Sequence, residues 1–192
     1  MKNTALIIID VQNDYFQGGR MALPGAEEAA GNIRRVLEAW RGNMLPIIHI
    51  QHVSVREGAT FFLPETDGVR IHPLVEPTAG EKVIVKHWPN SFRETELLEY
   101  LHDTGIDHLV VAGMMTFMCV DATTRAALDL GFGCTLLHDC TAAPPVEFSG
   151  VSCSAEQVRA AVTSALALLC NRVLSSGDMV ELLQSGGHED GR

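Results

Sequence analysis

Apolar residues occur along this chain in short bursts, and the bursts alternate with segments of helical spacing. Ala5-Leu6-Ile7-Ile8-Ile9 is a continuous, mostly β-branched run that ends at Asp10, the pattern of a strand buried on both faces. A loop from Gln17 to Gly25 follows. Ala26 to Arg41 then sets Ile33, Leu37 and Trp40 four and three residues apart, on one helix face, with Gly42 as terminator. Pro46 to His52 is a second buried strand. Residues 53–80 show no periodicity and hold three prolines and three glycines; a connection of that length in a compact domain usually serves function or covers a site. Glu81 to Lys86 is a third strand, ending on a charge, and Glu94 to Asp103 an amphipathic helix that closes before Gly105. His108 to Gly113 is a fourth strand, Val120 to Leu130 a helix closed by Gly131, and Cys134 to His138 a fifth strand followed by a loop, Asp139 to Ser154. Ser154 caps a long helix, Ala155 to Cys170. A short strand near Arg172 to Ser175 completes the pattern, and the polar stretch 185–192 reads as a disordered tail.

Strand and helix in alternation predict an α/β fold: one domain over residues 1–184, a three-layer α/β/α sandwich around a mainly parallel central sheet. Composition agrees, with 46% apolar and 20% charged residues over 192 positions, enough to bury a real core. The net charge of −10 comes without a cluster of Lys and Arg, which argues against a nucleic-acid partner. No stretch approaches the ~20 apolar residues that span a bilayer. The segment MKNTALIIIDVQ is interrupted by Asp10 and precedes no cleavage signal. A cytoplasmic protein without a membrane partner is the expectation. The five cysteines, Cys119, Cys134, Cys140, Cys153 and Cys170, are odd in number, and no CxxC occurs. That disfavours a disulfide framework or a zinc site, and most of the five should be reduced, buried small hydrophobes.

In open α/β sheets ligands bind outside the carboxyl ends of the strands. Asp10 ends the first strand, Lys86 the third, and Cys119 follows the fourth. Taken singly, Asp10 is as readily a turn residue, Lys86 a solvated strand end, and Cys119 an inert core residue. Taken together at one sheet edge they make a chemical set: a thiolate to attack, a carboxylate to shuttle its proton, and an ammonium to favour the charged forms. A helix beginning near Val120 would put Cys119 at its N-terminus, where unpaired N–H groups stabilise a thiolate or an oxyanion. Gly113 permits a sharp turn out of the strand, and Thr116 can bond backbone within that turn.

DVQNDYF at 10–16, VIVKHWPNSF at 83–92 and GMMTFMCVDATTRAALDLGF at 113–132 resemble, in order, the three signature blocks of the isochorismatase-like cysteine hydrolases. The likeness runs from about Asn3 to about Leu183. It implies the isochorismatase-like hydrolase fold, with Asp10 as general base, Lys86 as catalytic lysine and Cys119 as nucleophile. It also places a non-proline cis peptide between Met114 and Met115, with the Met115 and Cys119 amides as oxyanion hole. Tyr15 matches a pocket-lining aromatic. Trp88 and Phe92, in the loop after Lys86, are candidates for substrate contact or for a subunit interface. Phe117 and Met118 are candidates for an apolar lining or for packing.

The chain departs from nicotinamidases where they carry an Asp-x-His metal motif. Here the stretch reads His49-Ile50-Gln51-His52-Val53-Ser54, with no carboxylate, and His49 and His52 face opposite sides of a strand. No metal and no cofactor are expected. The resemblance implies a metal-independent hydrolase of a C–N bond in a small amide, ureide, carbamoyl or lactam substrate, working as a homo-oligomer, dimer or tetramer. Two other readings stand beside it: isochorismatase-type vinyl ether cleavage, for which the thiol is not needed, and a non-catalytic, redox-responsive paralogue, for which Asp10 and Lys86 are not needed.

Overall fold

The computed structural model describes residue 1 and residues 3–186. Its centre is a sheet of six parallel strands: β1 (Thr4–Ile9), β2 (Ile47–His52), β3 (Lys82–Lys86), β4 (His108–Met114), β5 (Gly133–Ala142) and, after an antiparallel hairpin of β6 (Val146–Phe148) and β7 (Val151–Cys153), β8 (Arg172–Leu174). The strand order is β3-β2-β1-β4-β5-β8. The chain thus winds outward from β1 in one direction, returns to its other side at β4, and winds outward again. Between β1 and β4 the strand order reverses, and the connections leave to opposite faces there, opening a crevice at the carboxyl ends.

The α-helices among the described residues are α1 (Ala26–Gly42), α2 (Leu97–Asp103), α3 (Asp121–Asp129), α4 (Ala155–Ala167) and α5 (Ser176–Gln184). Side chains alternate across a strand, so β1 feeds two cores. Leu6 and Ile8 pack with Ile33, Leu37 and Trp40 of α1 and Met179 and Leu183 of α5. Ala5, Ile7 and Ile9 pack with Leu97 and Leu101 of α2, Val120, Ala127 of α3 and Leu166 of α4. This three-layer arrangement is why the run at residues 5–9 has no polar position.

Several boundaries differ from the sequence expectation. β5 continues past His138 to Ala142, because a register shift opposite Val111 and Gly113 absorbs the polar pair His138-Asp139 and lets Thr141 and Ala142, buried like Cys140 before them, resume pairing. Asp139 then accepts hydrogen bonds from the backbone and hydroxyl of Ser176, both at 2.7 Å, at the start of α5. The expected loop 139–154 is therefore partly strand and partly the β6–β7 hairpin. The second helix starts at Leu97 rather than Glu94, since Glu94 has a positive φ of 56°. α4 stops at Ala167, before the expected Cys170. Of the tail expected over 185–192, residues 187–192 lie outside the described residues.

Candidate active site

β1, β2, β3 and β4 end within two residues of one another: Ile9, the last residue of β1, is in register with Ile50 and Gly113, and His52 and Lys86, in register with each other, end β2 and β3 two residues further on. The next residues therefore meet over the crevice. Asp10 turns away from β1 with φ 51°, a left-handed conformation that Asp tolerates better than bulkier residues. Gly113, at φ 132°, brings β4 so close that an added Cβ would lie 2.1 Å from the Ile9 carbonyl oxygen. The Met114–Met115 peptide is cis. Beyond it, Thr116–Val120 forms a π-helical turn that runs into α3, with Val120 N–H donating to Met115 O at 3.3 Å. Cys119 lies inside this turn, one residue before the expected helix start. Thr116 anchors the turn by donating to Ala142 O of β5 at 3.0 Å, not to backbone of its own turn.

The three side chains meet. Lys86 Nζ lies 2.6 Å from Asp10 Oδ2 and 3.3 Å from Cys119 Sγ. Its other neighbours are His52 Nδ1 and the Trp88 carbonyl oxygen, each at 3.1 Å. Asp10 and Lys86 are wholly buried and Cys119 is 6% exposed, so Lys86 is no solvated strand end. Asp10 Oδ1 has no hydrogen-bond partner among the described residues. Ligand atoms of Asp10, His52 and Cys119 all lie within 4.8 Å of one another, and the cation these three groups share is the Lys86 ammonium.

Electrostatics set the resting protonation. Burial, then the Asp10 charge, pushes the Cys119 thiol up, and Lys86 only partly offsets this. In so dry a site burial favours the uncharged thiol, so the thiolate needs a base beside it to form. Burial likewise raises the Asp10 carboxyl against the pull of Lys86. Burial works against the Lys86 charge, but Asp10 and then Cys119 outweigh it, and the lysine is held above its ordinary value. A carboxyl with raised proton affinity beside a thiol is poised to take its proton and return it.

A cavity of about 340 Å³ opens onto Cys119, walled by Tyr15, Phe61, Phe62, Trp88, Met115 and Met118 and roofed by residues 54–60. Tyr15 and Phe62 meet edge-on at 4.7 Å, and Phe61 lies 4.9 Å from Phe62. Trp88 is fixed from outside, with Arg93 stacked 3.6 Å over its ring and its Nε1–H donating to Glu94 at 2.9 Å.

The isochorismatase domain family matches residues 4–167. The chain belongs to the isochorismatase family. It is 44% identical over 163 residues to an uncharacterised isochorismatase family protein of Bacillus subtilis, covering 85% of this chain and 91% of the relative. It is 34% identical over 135 residues to streptothricin hydrolase of Streptomyces noursei, covering 70% of this chain and 52% of that enzyme. Among solved structures, an isochorismatase of Pseudomonas putida superposes with a TM-score of 0.83 at 34% identity, over 92% of this chain and 89% of that one.

In this isochorismatase-family hydrolase not every expected pocket residue reaches the pocket. Tyr15, Trp88 and Met115 do. Phe92 instead stacks on Phe132, ring centroids 6.0 Å apart, within the core on the α2–α4 side. Phe117 packs into the α1-side core, and its neighbour Met118 takes the lining position. By sequence both are candidates for lining or packing, and the π-helical turn that holds them divides the two roles between them.

Sequence reasoning missed Phe61, Phe62 and His52. The signal for the first two lay in Gln12-Asn13-Asp14, which fasten the long loop to the end of β1. Gln12 Nε2 donates to the Val69 and His52 carbonyls at 2.7 and 2.9 Å, and Asn13 Nδ2 donates to Asp67 O at 3.0 Å. Asp14 accepts from the Phe62 amide at 2.6 Å and the Arg20 amide at 3.1 Å, holding Phe62 at a positive φ of 54°. Gly68 is required beneath it, since an added Cβ would fall within 2.4 Å of the Asp14 carboxylate.

Proposed function

We propose that this chain is a metal-independent cysteine hydrolase that cleaves a C–N bond of a small amide, ureide, carbamoyl or lactam substrate through an acyl-enzyme. The observation that carries the reading is the buried Lys86 ammonium in contact with both Asp10 and Cys119. Asp10 takes the Cys119 proton as sulfur attacks the carbonyl carbon, and Lys86 stabilises the thiolate as it forms. The Met115 and Cys119 amides hold the oxyanion; the Cys119 amide is among the first N–H groups of its helical segment, which lack partners within the helix. Collapse breaks the C–N bond, and the proton on Asp10 goes to the leaving nitrogen. Water then attacks the thioester and gives a proton to Asp10, which returns it to the departing sulfur.

Metal ligation enters no step, because the second strand carries histidines but no carboxylate where nicotinamidases have theirs. The aromatic lining suits a substrate with a flat, apolar body next to the scissile carbonyl. Streptothricin hydrolase, among the relatives, supports hydrolysis as the reaction class. A redox-responsive role fits less well, since a sensor thiol is accessible and low in pKa, and Cys119 is neither. A homo-oligomer belongs to the same proposal, supported by Phe148 and Val151, which stand exposed on the β6–β7 hairpin. A cytoplasmic, reducing location is supported by five unpaired cysteines. The test is a screen of small amides, ureides and lactams, with isochorismate alongside. The expected result is C–N hydrolysis that falls at least ~10³-fold in Cys119→Ala. Full activity in that variant, or turnover of isochorismate alone, would overturn the proposal.

A further inference from the structure

The Lys86 ammonium has three N–H donors, yet four acceptors surround it: Asp10 Oδ2 at 2.6 Å, His52 Nδ1 at 3.1 Å, the Trp88 carbonyl at 3.1 Å and Cys119 Sγ at 3.3 Å. One contact is therefore always surplus. While Cys119 is a thiol, its sulfur is the weakest acceptor of the four, and the protons belong to Asp10, His52 and the Trp88 carbonyl. When the thiol gives its proton to Asp10, the sulfur becomes an anion and needs a Lys86 proton. We propose that His52 is a positioning residue that competes with Cys119 for the third Lys86 proton and so sets the pH at which the cysteine becomes reactive.

The placement supports this. His52 sits at the end of β2, directly opposite Lys86 in register on β3, so its distance to the lysine is set by the sheet. Its backbone is held on both sides, with its N–H donating to Gln12 Oε1 at 2.8 Å and its carbonyl accepting from Gln12 Nε2 at 2.9 Å. Its ring lies 5.8 Å from that of Phe62. To serve Lys86 the ring must stay uncharged, with Nδ1 bare. Burial, then Lys86 and His87, depresses its pKa to about 3, so it is an acceptor throughout the working range and not a titrating acid or base. The other titratable groups around the cysteine and lysine are Asp10 from β1, Tyr15 from the turn after it, and His87 after β3. Burial keeps the Tyr15 phenol neutral well above its ordinary value. His87 donates its Nδ1–H to the Val53 carbonyl at 2.7 Å.

The role is distinct from metal ligation and from proton transfer. It rests on the reading of Cys119 as the nucleophile, and its test does not require a substrate. The rate of iodoacetamide alkylation at Cys119, located by peptide mass mapping, is followed against pH in wild type, His52→Leu and His52→Asn. Loss of the acceptor in His52→Leu frees a Lys86 proton for the sulfur and moves the alkylation midpoint down by about one pH unit, a tenfold gain in thiolate at fixed pH. Asn presents its Oδ1 close to where Nδ1 stood and restores the wild-type midpoint. Should His52→Leu fail to fold, His52→Ala carries the same prediction. An unchanged or raised midpoint in the acceptor-less variant, or equal shifts in the Leu and Asn variants, would overturn the proposal. Failure of wild-type Cys119 to alkylate at any pH would count against the nucleophile reading instead.

Discussion

At the scale of single residues, the site is an ion pair bought from burial by its geometry. Two charges removed from water are tolerated because Lys86 finds Asp10 at 2.6 Å, and removal of either partner leaves the other stranded. Lys86→Met should therefore destabilise the fold by about 3–5 kcal/mol, read as a drop in urea midpoint. Lys86→Met combined with Asp10→Asn should recover part of the loss, since no buried charge then remains; a double variant as unstable as the sum of the singles contradicts the pairing. Asp10, Lys86 and Cys119 were legible in the sequence because each lies at or just past the end of an apolar run, where α/β sheets present side chains to ligands. His52 was not. Its partner lies across the strand pairing rather than along the chain, and parallel register leaves no mark in a single sequence. Phe92 and Phe117 show the converse limit: proximity in sequence to a reactive residue does not say which way a ring points.

At the scale of elements, the apolar bursts announced the strands of the sheet, because a strand covered on both faces has no polar position. The connection between β2 and β3 was legible only as an absence of pattern. Its course depends on hydrogen bonds from Gln12, Asn13 and Asp14, some 40–57 residues away in sequence for those that reach from Gln12 and Asp14 to His52, Val69 and Phe62. These bonds make the loop a fixed pocket wall. Asp14→Asn places an amide N–H against one of two backbone N–H donors, and Gly68→Ala drives a methyl into the carboxylate. Either change should raise KM roughly tenfold with kcat altered less than about threefold, since Asp10, Lys86 and Cys119 do not move. An unchanged KM would show that the loop is held by other contacts.

A second cluster ties α1 to the start of β3. Glu81 takes Arg41 Nε at 2.7 Å and the buried His49 Nε2 at 2.8 Å. Burial alone would raise the Glu81 carboxyl, but Arg41, then Thr78 and His49, hold it down at about 2. A carboxyl with a depressed folded pKa stabilises the fold above its unfolded value, near 4.5, and loses that contribution as pH falls toward 2. His49, lowered by burial against the pull of Glu81, acts in the same direction below its unfolded value of 6.5, because the unfolded ring binds the proton more readily. Wild type should lose on the order of 2–3 kcal/mol from Glu81 across pH 4.5 to 2. Glu81→Gln should flatten that part of the stability profile, as measured by denaturant titration at stepped pH.

At the scale of the molecule, the sheet order places the crevice between β1 and β4, and Asp10, Lys86 and Cys119 each arrive there from a strand end or the turn beyond it. No helix among the described residues is long and apolar enough to cross a membrane. The exposed Phe148 and Val151 of the hairpin bear on assembly. Sedimentation velocity should give two or four times the chain mass, and Phe148→Glu with Val151→Glu should shift it toward one; a monomeric wild type contradicts the homo-oligomer. The covalent step is the most direct consequence of a nucleophilic Cys119. Intact-protein mass spectrometry of the wild type, quenched in acid during turnover of a substrate found in the screen, should show a population heavier by the acyl group, mapped to the Cys119 peptide and absent in Cys119→Ala. Turnover with no acyl adduct at Cys119, and none after rapid quenching at low temperature, would contradict it.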